Sequence, residues 1–111
     1  MQGTSRSDLA ADLERSARLC EETAQLYVDR HGDGVGADIV ASLLLAAAGL
    51  DTAGRGVEQG GAPTALMIAA TLARDAVAAA EERGFDEQFL HCVGELRRVA
   101  ALCDRELLGP S

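Results

Sequence analysis

The side chains that could do chemistry in this chain are three cysteines, two histidines and one tyrosine. Thiolate and imidazole are the ligands that copper(I) and zinc prefer. His91 and Cys92 are consecutive, and His31 closes a helical segment that should end beside the segment they begin. The sequence therefore predicts at most one soft-metal site, for Cu(I) or Zn, held by His31, His91 and Cys92. The alternative is that the cysteines are small buried hydrophobic residues with no ligand role.

A second set of polar residues lies at helical spacing on the inward stripe of the first segment: Ser16, Cys20, Thr23 and Tyr27. In an otherwise apolar interior, with His91 nearby, they could orient an apolar small molecule or move a proton. Asp51 and Arg55, which can pair across one helical turn, would lie at the opposite end. The alternative is that Ala-rich interfaces let the helices approach closely and leave no cavity. No catalytic triad or dyad is readable, so whether the chain is an enzyme stays open.

Composition limits the class of protein. The chain has 111 residues, enough for one domain, and it is rich in Ala and Leu but has no Trp. A scarcity of aromatic and β-branched residues favours an all-α fold. The net charge of −8 repels nucleic acid and anionic lipid, so we expect neither partner. The N-terminus is polar, which is unlike a secretion signal, and the longest apolar run, Ile39 to Leu50, is too short to span a membrane. We therefore expect a cytoplasmic chain whose thiols stay reduced.

Apolar periodicity defines four helical segments. They cover about residues 7–30, 36–58, 63–83 and 86–108, and residues 1–6 are expected to be disordered. Three glycines between His31 and Gly36 predict a tight turn, because a phosphate-binding loop would need a preceding strand and usually a lysine. Four helices joined by short turns predict a single domain, 7–108, folded as an antiparallel up-down-up-down four-helix bundle.

The second helix is hydrophobic on more than one face. A homodimer or higher homo-oligomer through this helix is therefore expected to cover the remainder. The same face leaves open a third function, that of a structural or partner-binding bundle. Its glycines, Gly49, Gly54 and Gly56, indicate either close approach of another backbone or a helix that loosens after Leu50. If the first and fourth helices are aligned by their ends, Cys20 lies about 7–9 Å along the axis from both Cys92 and Cys103. At that distance no shared ion or disulfide is expected unless the register shifts by a full turn.

Three short motifs carry a resemblance to a known family. They are Cys20-Glu-Glu-Thr23-Ala-Gln-Leu-Tyr27, Asp51-Thr-Ala-Gly-Arg55, and His91-Cys92 in a last helix that ends Arg105-Glu-Leu-Leu108. Over about residues 10–108 the chain resembles the cysteine-rich four-helix-bundle copper-binding family, the copper storage proteins. Members line the bundle interior with thiolates that load copper(I). In this chain Ala, Leu, Val or Thr stand at most of those positions, so the resemblance implies a cysteine-depleted relative rather than a copper store.

Overall fold

The computed structural model describes residues 6–32, 34, 36–61, 63–83 and 87–109. Within them the chain forms four helices: α1 (Arg6–His31), α2 (Ala37–Glu58), α3 (Pro63–Arg83) and α4 (Glu87–Leu108). The predicted all-α fold is confirmed, and the predicted boundaries agree with the observed ones within one residue. The predicted disorder of residues 1–6 falls largely on residues 1–5, which lie outside the described residues.

Buried positions recur along every helix in alternating steps of three and four residues. This spacing keeps one stripe of a helix facing its neighbours, as in most four-helix bundles. The stripes form a single core. They comprise Leu9, Leu13, Ser16, Cys20, Thr23 and Tyr27 in α1; Ile39, Leu43, Ala46, Leu50, Ala53 and Val57 in α2; Leu66, Ala69, Ala73, Ala76 and Ala80 in α3; and Phe89, Cys92, Leu96, Val99 and Cys103 in α4.

The helices pack in the order α1–α2–α3–α4, and α4 closes the bundle against α1. Two contacts at different heights along the bundle give the relative direction of each of three helix pairs. For α1 and α2 they are Tyr27 with Gly36 and Ala10 with Gly54, and for α1 and α4 they are Tyr27 with Phe89 and Asp12 with Arg98. For α3 and α4 they are Glu81 with Arg97 and Arg74 with Asp104. Each pair is antiparallel, so α2 and α3 are antiparallel as well. The molecule measures 45 × 21 × 21 Å, as expected for helices of this length.

Glycines in α2 allow the neighbouring helices to come close. A Cβ added at Gly54 would lie 3.3 Å from the carbonyl oxygen of Ala10 in α1. One added at Gly49 would lie 2.8 Å from a methyl carbon of Leu72 in α3. Helix α2 continues unbroken to Glu58, so close approach, and not a loosened helix, is the correct alternative.

Two adjacent helices are long and apolar enough, by length and composition alone, to cross a membrane. They are α2 over Ala37–Glu58 and most of α3, Pro63–Glu82. The core helix of a soluble protein passes the same test, so the property says little about where the chain resides.

Candidate functional site

The interface between α1 and α4 holds a pair of facing thiols. The Sγ atoms of Cys20 and Cys92 lie 3.9 Å apart, within hydrogen-bonding distance for sulfur. Both side chains are buried, with 0% and 1% of their surface exposed, and neither is in a disulfide. Two soft ligands thus meet inside the core, at positions that the 3–4 spacing of each helix directs inward.

This pairing corrects the register expected from the sequence. Alignment of the helix ends put Cys20 too far from Cys92 for a shared ion, and that expectation was wrong. The contact of Tyr27 with Phe89 puts the start of α4 level with about residue 29, so α1 extends past it by about half a turn. Helix α1 has 26 residues and α4 has 22, so their ends do not align.

The two thiols differ in acidity because of their surroundings. The pKa of Cys92 is lowered because its thiolate is stabilised by hydrogen bonds from the Cys20 thiol and the Thr23 hydroxyl, which together outweigh burial. The pKa of Cys20 is raised by its hydrogen bond to Cys92, by burial and by the nearby negative charges. The pair therefore loses its first proton more readily than its second, because the second thiolate would form beside the first in a buried place.

Cys103 provides an internal contrast. It is fully buried in α4, about three turns beyond Cys92. Burial raises the pKa of the Cys103 thiol to about 11, with a further contribution from Asp104. Cys103 is thus buried among the apolar core residues.

A buried hydroxyl without a partner lies one helical turn before Cys20. Ser16 is 2% exposed, and its Oγ makes no hydrogen bond with the described residues. A serine inside a helix normally bonds back to the carbonyl four residues earlier. Leaving a buried hydroxyl unsatisfied costs about 1–3 kcal/mol. A polar ligand bound next to Ser16, on the same inward stripe as Cys20, would therefore gain a hydrogen bond to this oxygen.

An ion-pair network on the surface of the bundle also connects α1 to α4. Arg98 of α4 contacts Asp12 of α1 at 3.4 Å and Glu95 at 2.9 Å. The guanidinium lowers the pKa of Glu95, and these carboxylates raise the pKa of Arg98. Sequence reasoning did not identify this network, because pairing Arg98 with Asp12 depends on the α1–α4 register.

The structure does not bring the predicted metal ligands His31, His91 and Cys92 together. His31 and His91 are exposed, whereas Cys92 is buried. The His31 ring packs on Tyr27, with 4.4 Å between centroids, and Tyr27 stacks on Phe89. Among the described residues, no group of three His, Cys, Asp or Glu side chains is placed to hold a metal ion.

The predicted small-molecule residues divide between two places. Ser16, Cys20, Thr23 and Tyr27 are all buried along α1, as predicted. Asp51 and Arg55 form an ion pair of 2.9 Å on the outside of α2. They line a groove of about 470 Å³ between α1 and α2, and a second groove of about 260 Å³ lies between α3 and α4. Neither groove is lined by Cys20, Thr23, Tyr27 or His91, so these grooves do not support the interior-pocket hypothesis.

Comparison with known proteins adds no relative: the chain matches no protein-family model, no curated protein and no solved structure.

Proposed function

We propose that this chain is a small soft-metal-binding bundle that holds one Cu(I) ion between the thiolates of Cys20 and Cys92. The observation that carries the proposal is the 3.9 Å separation of the two buried sulfur atoms. The proposal keeps Cys92 from the ligand set predicted from the sequence. It replaces His31 and His91 with Cys20, because their imidazoles are exposed and that thiol is the one facing Cys92.

The sulfur separation suits a metal ion without movement of the helices. A two-coordinate Cu(I) ion prefers a linear S–Cu–S arrangement, which at a metal–sulfur bond length of about 2.3 Å needs about 4.6 Å between the sulfur atoms. The two sulfur atoms now lie 3.9 Å apart, so rotation of the two side chains has to part them by about 0.7 Å. A bound cation would also replace the thiol protons and stabilise the two neighbouring thiolates.

The number of donors favours Cu(I) over Zn. A structural zinc site uses four protein ligands, usually cysteine and histidine. The described residues offer no third Cys, His, Asp or Glu beside the pair. Cu(I) selects soft thiolates and is stable with two of them. The Thr23 hydroxyl, which hydrogen-bonds the Cys92 sulfur, would support that ligand. The Ser16 hydroxyl lies one helical turn before Cys20 on the same stripe of α1.

The resemblance to the copper storage proteins supports the same chemistry. Cys20 stands in the motif that carries the likeness on α1, and Cys92 stands in the motif on α4. In this chain the facing pair is what remains of a thiolate lining, and the surrounding positions have become hydrocarbon. The proposed capacity is therefore one ion per chain.

A competition titration under anaerobic, reducing conditions tests the proposal. Protein is added to Cu(I) held by a coloured chelator, and the loss of colour reports transfer. We expect one equivalent to be bound by the wild type and by Cys103→Ala. Because each thiolate is a direct ligand, Cys20→Ala and Cys92→Ala should each lose more than about 100-fold in affinity. Circular dichroism verifies that the variants remain helical.

Two results would refute this assignment. One is a wild-type chain that takes no Cu(I) from the chelator. The other is binding that survives Cys20→Ala but is lost in a His31→Ala, His91→Ala double variant, which would return the site to the end of the bundle.

We also propose that the chain is cytoplasmic and self-associates through α2. Leu44 and Leu45 on α2 are 47% and 57% exposed, and Ile68 on the neighbouring helix is 51% exposed. Large apolar side chains left exposed on two adjacent helices favour a second copy as the partner. Light scattering behind a sizing column should give at least a dimer at micromolar concentration, and Leu45→Glu should shift it to monomer. A monomeric wild type would rule the dimer out.

A further inference from the structure

We propose that Cys20 and Cys92 are also a redox pair, which closes to an internal disulfide when the chain meets a small peroxide. The inference rests on the geometry of the pair, and it adds regulation to the proposed metal site. The dithiol would hold the ion and the disulfide could not, so oxidation and metal binding would exclude each other.

The pair is close to the bonded arrangement. Bond formation requires the two sulfur atoms to approach from 3.9 Å to about 2.05 Å. Side-chain rotation of two cysteines on facing core positions supplies movement of this size. Cys103 lies about three turns along α4 from Cys92, so it is not placed to compete. The fold thus selects one of the three pairings that three thiols allow.

The chemistry balances with hydrogen peroxide as the oxidant. One thiol attacks the peroxide, the O–O bond breaks, and a sulfenic acid and water form. The second thiol then attacks the sulfenic sulfur, the S–O bond breaks, and a disulfide and a second water form. Overall the two thiols lose two electrons and peroxide gains them. Both sulfur atoms are buried, so the oxidant reaches them through local opening between α1 and α4.

Mass spectrometry of the native, metal-free chain tests the inference without any metal measurement. Trypsin separates the three cysteines into three peptides, residues 19–30, 84–97 and 99–105. After peroxide treatment and alkylation, we expect peptides 19–30 and 84–97 to be joined. This product should exceed any pairing with Cys103 by more than about tenfold, because the fold holds the two sulfur atoms at high effective concentration. The product should persist in Cys103→Ala.

Unfolded protein is the control, because in denaturant the same treatment should give mixed pairings. Native protein that gives mixed pairings, no internal disulfide or only over-oxidised cysteines would overturn the inference. The metal proposal is refuted by a different result. A disulfide that forms normally in a chain whose reduced form binds no Cu(I) would leave the redox pair standing and remove the metal site. If both hold, oxidised protein should bind no Cu(I), and reduction by a phosphine should restore one equivalent.

Discussion

The sulfur atoms of Cys20 and Cys92 face each other at 3.9 Å across the α1–α4 interface, although 72 positions separate the two residues in the sequence. The stripe that carries Cys20 also carries Ser16 and Thr23, so the polar atoms of this core are concentrated on α1 and opposed by one thiol from α4. Apart from Tyr27 and Cys103, the other core side chains of the described residues are hydrocarbon. This asymmetry distinguishes the α1–α4 interface from the Ala-rich contacts of α2 and α3.

Ser16→Ala should stabilise the metal-free chain. Its hydroxyl is buried without a hydrogen bond, so removing it relieves a cost of about 1–3 kcal/mol. Ser42→Ala, at a half-buried position of α2, is the matched control for the gain in helix propensity. Urea unfolding under reducing conditions should show that the Ser16 variant gains about 1 kcal/mol more than the control. A Ser16 variant less stable than wild type would show that this oxygen has a protein partner.

Gly36→Ala should destabilise the bundle more than Gly34→Ala does. Both glycines have positive φ, +65° and +89°, which costs an alanine about 1–2 kcal/mol. At Gly36 the added Cβ would also lie 2.5 Å from a ring carbon of Tyr27, whereas at Gly34 it would meet none of the described residues within 4 Å. Overpacking of this kind adds about 1–3 kcal/mol. Thermal unfolding of the two variants measures the difference, and equal losses would contradict the Tyr27 contact.

Gly94→Ala should stabilise the protein, and Gly54→Ala should not. Both glycines lie inside helices, where alanine is favoured by about 0.5–1 kcal/mol. An added Cβ at Gly94 meets nothing within 4 Å, so the full gain is expected there. At Gly54 it would meet Glu14 at 3.2 Å and the backbone of Ala10 at 3.3 Å, which offsets the gain. If Gly54→Ala gains as much as Gly94→Ala in urea unfolding, α1 and α2 are not as close as described.

Glu58→Gln should stabilise the chain at neutral pH and not at acid pH. The hydrogen bond with Glu14 and the charge of its carboxylate raise the pKa of Glu58 above its ordinary value of 4.5. A raised pKa in the folded state favours folding below the unfolded value, and this contribution is lost as the pH rises through the folded value. The melting temperature of the variant should therefore exceed that of wild type at pH 7 and match it near pH 3.5.

Glu22→Gln, at another exposed position of α1, controls for the general benefit of lowering the net charge of −8. A Glu58 variant that gains no more than this control at pH 7 would contradict the Glu14–Glu58 interaction.

Helix positions and inward faces were predictable from the sequence because each helix repeats its buried positions in steps of three and four. The inward stripe of α1 from Leu9 to Tyr27 is buried as predicted. The turn around Gly36 was predictable from glycine spacing, and the positive φ values there confirm the reason.

The facing thiols were not predicted because sequence patterns do not set the offset between two helices that are distant in the chain. Alignment of helix ends separated Cys20 from Cys92, although the signal to find them was present. The inward residues of α1 and α4 can instead be paired one by one, starting with Tyr27 opposite Phe89. This pairing puts Thr23 opposite Cys92, and it puts Cys20 only about 4.5 Å along the axis from Cys92. The unpaired Ser16 oxygen and the Arg98 network depend on that same offset, so they too required the structure.

X-ray absorption at the copper edge, on protein loaded with one equivalent of Cu(I), tests the proposed site most directly. The account predicts two sulfur neighbours at about 2.3 Å, unchanged in Cys103→Ala and lost in Cys20→Ala. A first shell of nitrogen, or a sulfur shell that survives Cys20→Ala, would contradict it.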